Sequence, residues 1–456
     1  MADEEHRRFV EAATVDGRGE RAHAMLAAWP ELAGAGLDCA LVLGDVERVG
    51  DVVRDEPEVV ARRTGARDWP VLLYPCHSAF ARDRAADVRQ TVRLLLGAGA
   101  DPNATAPSPD WPGSTWTPLY GAAGRLHDHQ LTRMLLAAGA DPDDGESLYH
   151  ATETPDHACL RVLLEAGAAV EGTNALPHML DREDPEGARL LLEAGADATG
   201  LLPFAVSRGR SPEVLRLLAE HGADVHARGD DGRTAYAGAL LNGRDDQMAA
   251  LEELGAVPEA GPAERLAGAF ARGDYAAARE LLAAGTDERG VAETDERGAP
   301  ETGERGGAET GEPTIGRRPV RETGEAVIGD VPLDRRIRAA IVGFAVSRGP
   351  DGVAALDELG LGLELRGWED GRPLHATAWR GDPATVDVLL ARGAEVDARA
   401  STALATPLGW AIHGSLHGPP GDHLAVARRL VAAGARVDHG EAEQGSDALA
   451  AYLLGD

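Results

Sequence analysis

Apolar residues recur three and four places apart in short bursts along most of this chain, the spacing of one face of a helix. In the stretch GRPLHATAWRGDPATVDVLLARGAEVDAR, residues 371–399, the elements can be read one by one. Asp370-Gly371 is a turn pair. Pro373 suits the first turn of a helix, where a missing N–H costs nothing, and LHATAWRG supplies a short helix ending at Gly381. Pro383 opens a second helix whose Val386, Leu389 and Leu390 share one face. Gly393 stops it, and AEVDAR leads out as an extended or turn segment.

Worn copies of the same phrase follow one another: LLLGAGADPNA from Leu94, LLAAGADPDD from Leu135, LLEAGAAVEG from Leu163, LLEAGADATG from Leu191 and LLAEHGADVHA from Leu217. The stop glycines give the period. Gly167, Gly195 and Gly222 lie about 28 residues apart, and Gly222 to Gly255 and Gly360 to Gly393 span 33. One such helix pair cannot bury its own apolar face, whereas stacked copies bury one another's. The pattern therefore predicts a stack of helix-turn-helix units.

The phrase DGRPLHATAWRGDPATVDVLLARGAEVDA resembles an ankyrin repeat: a turn, T-P-L-H-x-A, a glycine, a second helix ending in L-L, then G-A-D. TPLYGAA from Thr117, DGRTAYAGAL from Asp231 and TPLGWAI from Thr406 are weaker copies of the opening; SLYHAT from Ser147 and LPFAVSRG from Leu202 are weaker again. The resemblance covers roughly Trp69 to Thr286 and Ile337 to His439. It implies an all-α fold, an ankyrin-type α-solenoid of stacked helix-turn-helix repeats. The copies near 28 residues depart from the family's period, as if most of the β-hairpin finger were lacking. Residues 1–68 read as an N-terminal helical cap or degenerate repeats, 69–286 as the array, and 331–456 as C-terminal repeats. Between them, 287–330 is rich in Gly, Thr, Glu and Pro with scarcely an apolar residue. Such a segment buries too little area to offset ordering entropy of about 1–2 kcal/mol per residue, so it reads as a disordered acidic linker interrupting the solenoid.

Composition narrows the function. The net charge is -31, which argues against a nucleic-acid binder, since neutralising phosphates takes a basic surface, and against a protein held on anionic lipid by charge. No lysine occurs, so every cationic side chain is Arg, and chemistries that need a lysine are excluded. Cys39, Cys76 and Cys159 stand apart, without a CxxC pair, as in a reducing compartment. The N-terminus lacks an apolar secretory core, and no stretch approaches 18 uninterrupted apolar residues. The expectation is a soluble, cytoplasmic protein without cofactor or catalysis.

Candidate chemistry is sparse. His413, His417 and His423 lie in HGSLHGPPGDH, an insertion read as a solvated loop; its alternative is a zinc site serving a metal-dependent hydrolase. Cys76 and His77 are neighbours in sequence, which does not appose a nucleophile and its base. His375 occupies the His of the ankyrin phrase, and the resemblance implies a structural bridge to neighbouring turn backbone. It also implies that the two residues before the glycine of A-x-x-G face the concave groove. Those or nearby positions hold Arg125, Arg182, Arg208, Arg272, Arg348 and the pair Trp379-Arg380, with Trp410, Tyr149 and Phe204 as apolar anchors. Arg pairs bidentately with carboxylates and stacks on rings, which is why it recurs where partners bind. The expected ligand is a protein with an acidic surface, and no nucleic acid or membrane.

Overall fold

The repeated phrase folds as helix pairs joined by tight turns. The computed structural model describes residues 2–15, 19–109, 112–292, 327–328, 331–400 and 405–455. They form two compact units, Met1–Leu201 with Glu213–Asp224, and Leu202–Pro212 with Val225–Asp456. Both are all-α stacks of helix-turn-helix repeats. The first holds the pairs Leu37–Leu43 with Val46–Asp55, Ser147–Ala151 with Ala158–Glu165, and Ala175–Asp181 with Pro185–Glu193, besides an N-terminal helix Ala2–Thr14. The second holds Ala235–Leu241 with Asp245–Glu253, Pro262–Arg272 with Tyr275–Ala292, Arg335–Ser347 with Gly349–Glu358, Pro373–Arg380 with Pro383–Ala391, and Pro407–His417 with His423–Ala432.

The turn inside each pair has a chemical logic. Gly381 takes φ +64°, ending the first helix in the left-handed region. Asp382 then accepts from the backbone N–H groups of Ala384 and Thr385 and caps the second helix, an interaction worth about 1 kcal/mol. Asp128, Asp184, Asp274 and Asp422 cap their helices in the same way. The Arg-Gly-Asp tripeptides at 272–274 and 380–382 are therefore a helix end, a turn and a cap. At the far end, Ala394 N–H donates to Leu389 O and Gly393 N–H to Leu390 O, a closed C-terminal motif that releases the chain into the next turn.

Val386 and Leu389 are fully buried, Leu390 only in part. In the second unit their neighbours form one core of Leu, Val, Ile and Ala, running from Leu266 and Phe270 through Ile337, Ile341 and Val346 to Leu374, Leu408 and Leu430. The repeat that follows the acidic stretch thus packs directly on the repeat that precedes it. The linker reading falls largely on residues 293–326, which lie outside the described ones; helix Tyr275–Ala292 runs past the boundary at 287. Hairpin fingers pair Arg63–Thr64 with Trp69–Pro70 and Ala106–Pro107 with Thr115–Trp116. In the short copies, from Gly167 to Ala175 and from Gly195 to Leu201, the described residues turn without pairing strands. No helix among the described residues is long and apolar enough to cross a membrane.

His375 bridges as the phrase implies. Its Nδ1 accepts from Arg372 N–H at 3.2 Å, and its Nε2 N–H donates to Ala405 O at 3.3 Å, joining its own helix start to the next finger. His77 does the same, its Nε2 N–H donating to Thr117 O at 2.9 Å. Cys76 beside it is fully buried and its thiol pKa is pushed up by that burial, so the pair is packing.

Candidate functional site

The six arginines that the resemblance picks out share one structural position, the C-terminal end of the first helix of a pair. A cation there is favoured by the helix's unpaired carbonyls, so position alone does not make a binding residue. Their neighbours separate them. Arg348 reaches back to the carbonyls of Phe270, at 3.2 Å, and Ala271, closing the end of the preceding first helix. Arg125 likewise donates to Thr14 O and Val15 O and lies 4.4 Å over the Trp116 ring. Arg272 stands 3.7 Å from Asp245, and Arg208 lies 5.1 Å over Phe204. Arg182 and Arg380 are exposed, and neither forms an ion pair among the described residues. Replacing Arg348 with Ala removes two bonds to carbonyls and is expected to lower the stability of the second unit by about 1 kcal/mol, measured by urea unfolding.

Trp410 corrects the sequence reading. Its ring is 7% exposed, packed edge-on to Trp368 at 5.7 Å and to His375 at 5.4 Å, so it belongs to the core between two repeats. The exposed ring is Trp368, at 63%. Tyr149 is also engaged, stacked on His178 at 4.8 Å.

The insertion at 413–423 also differs from its reading as a loop. Helix Pro407–His417 continues through the first two histidines, and only 418–422 is irregular. His413 and His417, one turn apart, lie 4.5 Å from each other, with His413 5.4 Å from Trp379. His423 is buried, and its Nε2 N–H donates to Trp379 O at 2.9 Å. With that nitrogen committed, the three imidazoles do not converge as metal ligands do. Among the described residues the side chains that do converge in that manner are His6, Asp38 and Cys39 in the first unit.

What the insertion does is grip the end of helix Pro373–Arg380. Gly414 and Gly418 lie against Trp379: a Cβ on either would stand 2.6 or 2.7 Å from Trp379 O. Gly421 presses on Arg380 O in the same manner. Asp422 N–H donates to Gly381 O at 2.8 Å. The backbone of 379–381 is thus fixed by three glycines, a histidine and an amide. Around it the surface offers a half-buried indole, the exposed Arg380, and Leu416 at 56% exposure between His413 and His417. An aromatic and an Arg on a fixed stretch of backbone, with an exposed aliphatic side chain on the helix packed against it, is the composition of a protein-binding hot spot, and a fixed backbone removes part of the ordering cost of association.

No protein-family model matches the chain, and no curated protein matches it. Among solved structures, the chain is similar to the ankyrin repeat domain of Bcl-3, described as a unique member of the IkappaB protein family. The two are 28% identical, over 40% of this chain and 86% of that one, with a TM-score of 0.34.

Proposed function

We propose that this chain is a cytoplasmic protein-interaction module with no catalysis of its own, and that its second unit grips a protein partner at Trp379, Arg380, His413 and Leu416. The observation that carries this reading is the immobilised end of helix Pro373–Arg380, where an insertion fixes the backbone that bears an indole and a guanidinium. The planar fork of Arg380 suits a carboxylate, and the indole and Leu416 suit an apolar side chain beside it. The partner surface is therefore acidic with an apolar anchor. Within the second unit Arg208 and Arg272 hold the same helix-end position as weaker contributors and Arg348 ties repeats together, while Arg182 holds that position in the first unit.

Affinity capture from cytosol followed by mass spectrometry tests this, comparing wild type with Trp379→Ala and Arg380→Gln. The identified partner is expected to bind each variant at least about tenfold more weakly in titration, as truncation at a hot spot does, with circular dichroism unchanged. Arg348→Ala is expected to retain the partner. Equal affinity for the wild type and both folded variants would overturn the assignment of this edge.

A further inference from the structure

In the first unit the repeat that begins at Thr117 carries one residue too many. Its stop glycine, Gly139, falls 22 residues after Thr117, whereas Gly255 and Gly393 fall 21 after Thr234 and Arg372. The chain absorbs the extra residue by widening helix Pro118–Tyr120 into a π turn over Gly121–Arg125, in which Leu126 N–H donates to Gly121 O at 2.9 Å. It leaves the turn through His127 at φ +51°, the left-handed region that a side chain disfavours. Both glycines of the turn are required. A Cβ on Gly121 would collide with the carbonyl of Cys76, and one on Gly124 would stand 2.7 Å from the Cβ of His150. Single π turns and strained residues of this kind gather at functional sites.

The widened turn borders a cavity of about 300 Å³ lined by His77, Arg82, Tyr120, Arg125, His127 and His150, with Glu153 on one wall. Arg125 is held rigidly, donating to Thr14 O at 2.6 Å and to His77 Nδ1 at 3.2 Å. That bond requires a lone pair on Nδ1, so His77 is neutral, and burial together with the Arg125 charge keeps its pKa well below the usual imidazole range. Burial lowers His127 also, with the Arg82 charge nearby acting in the same direction. The lasting charges are then two guanidinium groups against one carboxylate, and Glu153 is already engaged with His150 at 3.1 Å. Arg82 is exposed and forms no ion pair among the described residues. Ala13, Ala79, Leu126 and the Tyr120 ring supply apolar wall. A surplus of one positive charge beside an apolar wall matches a monoanion with a small apolar body, whereas a phosphate dianion would confront Glu153.

We propose that this cavity is a receptor for a carboxylate bearing a small aromatic or aliphatic group, bound by Arg82 and Arg125 with Tyr120 along its side. The site lies in the first unit and does not rest on the partner edge assigned to the second. Two sources present this chemistry, a free small carboxylate and the C-terminus of a peptide ending in an apolar residue.

Titration of the full chain by calorimetry separates them, using benzoate, acetyl-Gly-Gly-Phe as the free acid, and the same peptide as its C-terminal amide. Saturable binding of the free-acid peptide but not of benzoate or the amide supports a peptide-terminus receptor. Binding of benzoate supports a small-carboxylate site. In either case Arg82→Gln, an exposed substitution that leaves the packing alone, is expected to weaken binding about tenfold, the loss of one charge-assisted pair. No saturable binding of either acid at millimolar concentration overturns the proposal, as does an affinity unchanged in Arg82→Gln or equal for the amide.

Discussion

Asp38→Ala is expected to lower the stability of the first unit by about 3–5 kcal/mol, the cost of removing one partner from a buried, hydrogen-bonded charge site. Asp38 is fully buried at the start of helix Leu37–Leu43, in the apolar run LDCALVL. Three donors converge on its carboxylate. His6 Nε2 N–H reaches Oδ1 at 2.8 Å from the N-terminal helix, Cys39 N–H reaches the same oxygen at 2.9 Å, and Ala66 N–H reaches Oδ2 at 2.6 Å from the turn of the first finger. Gly65, at φ +71° in that turn, leaves room: a Cβ there would stand 2.6 Å from the Cβ of Asp38 and 2.7 Å from the Tyr74 hydroxyl. Tyr74 completes the site by donating to Thr64 O at 2.6 Å, and burial pushes its phenol pKa up to about 12. One carboxylate therefore ties the N-terminal helix, a repeat helix and a finger together. Alanine leaves three donors without an acceptor, the Cys39 N–H buried and the other two partly so, each costing up to about 1–3 kcal/mol unless water enters. His6→Ala removes a partly buried donor and is expected to cost about 1–2 kcal/mol. Urea unfolding at neutral pH measures both; a loss below about 1 kcal/mol for Asp38→Ala would mean that water replaces the carboxylate and that the site does not fasten the cap.

The helix pairs, their Pro starts and their Gly stops are legible in the sequence because each depends on residues within about one helix turn; the bridging role of His375, whose partner Ala405 lies 30 residues away, was implied only by the resemblance. The resemblance placed an Arg at six first-helix ends. It did not tell a tethered Arg from an open one, since Arg348 is engaged by carbonyls 77 and 78 residues away and Arg125 by carbonyls 110 and 111 residues away. Trp410 was misread for a related reason. The resemblance made it an anchor on the groove, but Trp368 from the turn before helix Pro373–Arg380 packs on its ring. The insertion at 413–423 was read as a loop from its glycines and prolines; three of those glycines mark instead where one backbone presses on another. The cavity beside Gly121–Arg125 was open to detection, because its signal is a repeat one residue longer than its neighbours. Asp38 gave no signal beyond a charge in an apolar run, which sequence pattern assigns by default to a helix N-terminus.

The second large effect is a loss of stability of the second unit on mild acidification, carried by His375. That imidazole is completely buried, and burial, aided by the nearby Arg372 and Arg366 charges, lowers its pKa from 6.5 to about 4. The unfolded chain binds a proton at His375 below about pH 6.5, while the folded chain does so only near pH 4. Between those values the unfolded state holds more protons, so stability rises with pH and falls as the solution is acidified. The contribution is fully present above pH 6.5 and lost progressively down to pH 4, reaching about 2.5 kcal/mol at pH 4.5. Asp231, Asp246, Asp334 and Asp397 are lowered from 3.8 by their arginine and backbone partners, so their own contributions are lost at still lower pH and leave this window to the histidine. His375→Asn keeps an acceptor within reach of Arg372 N–H and removes the titration. Its unfolding free energy is expected to start about 1–2 kcal/mol below wild type at pH 7.5. It is also expected to change far less between pH 7.5 and pH 4.5, so that the two curves converge or cross. Parallel curves would mean that the bond from Nε2 to Ala405 O opens on acidification and lets water reach the ring, in which case the bridge between repeats is looser than its geometry implies.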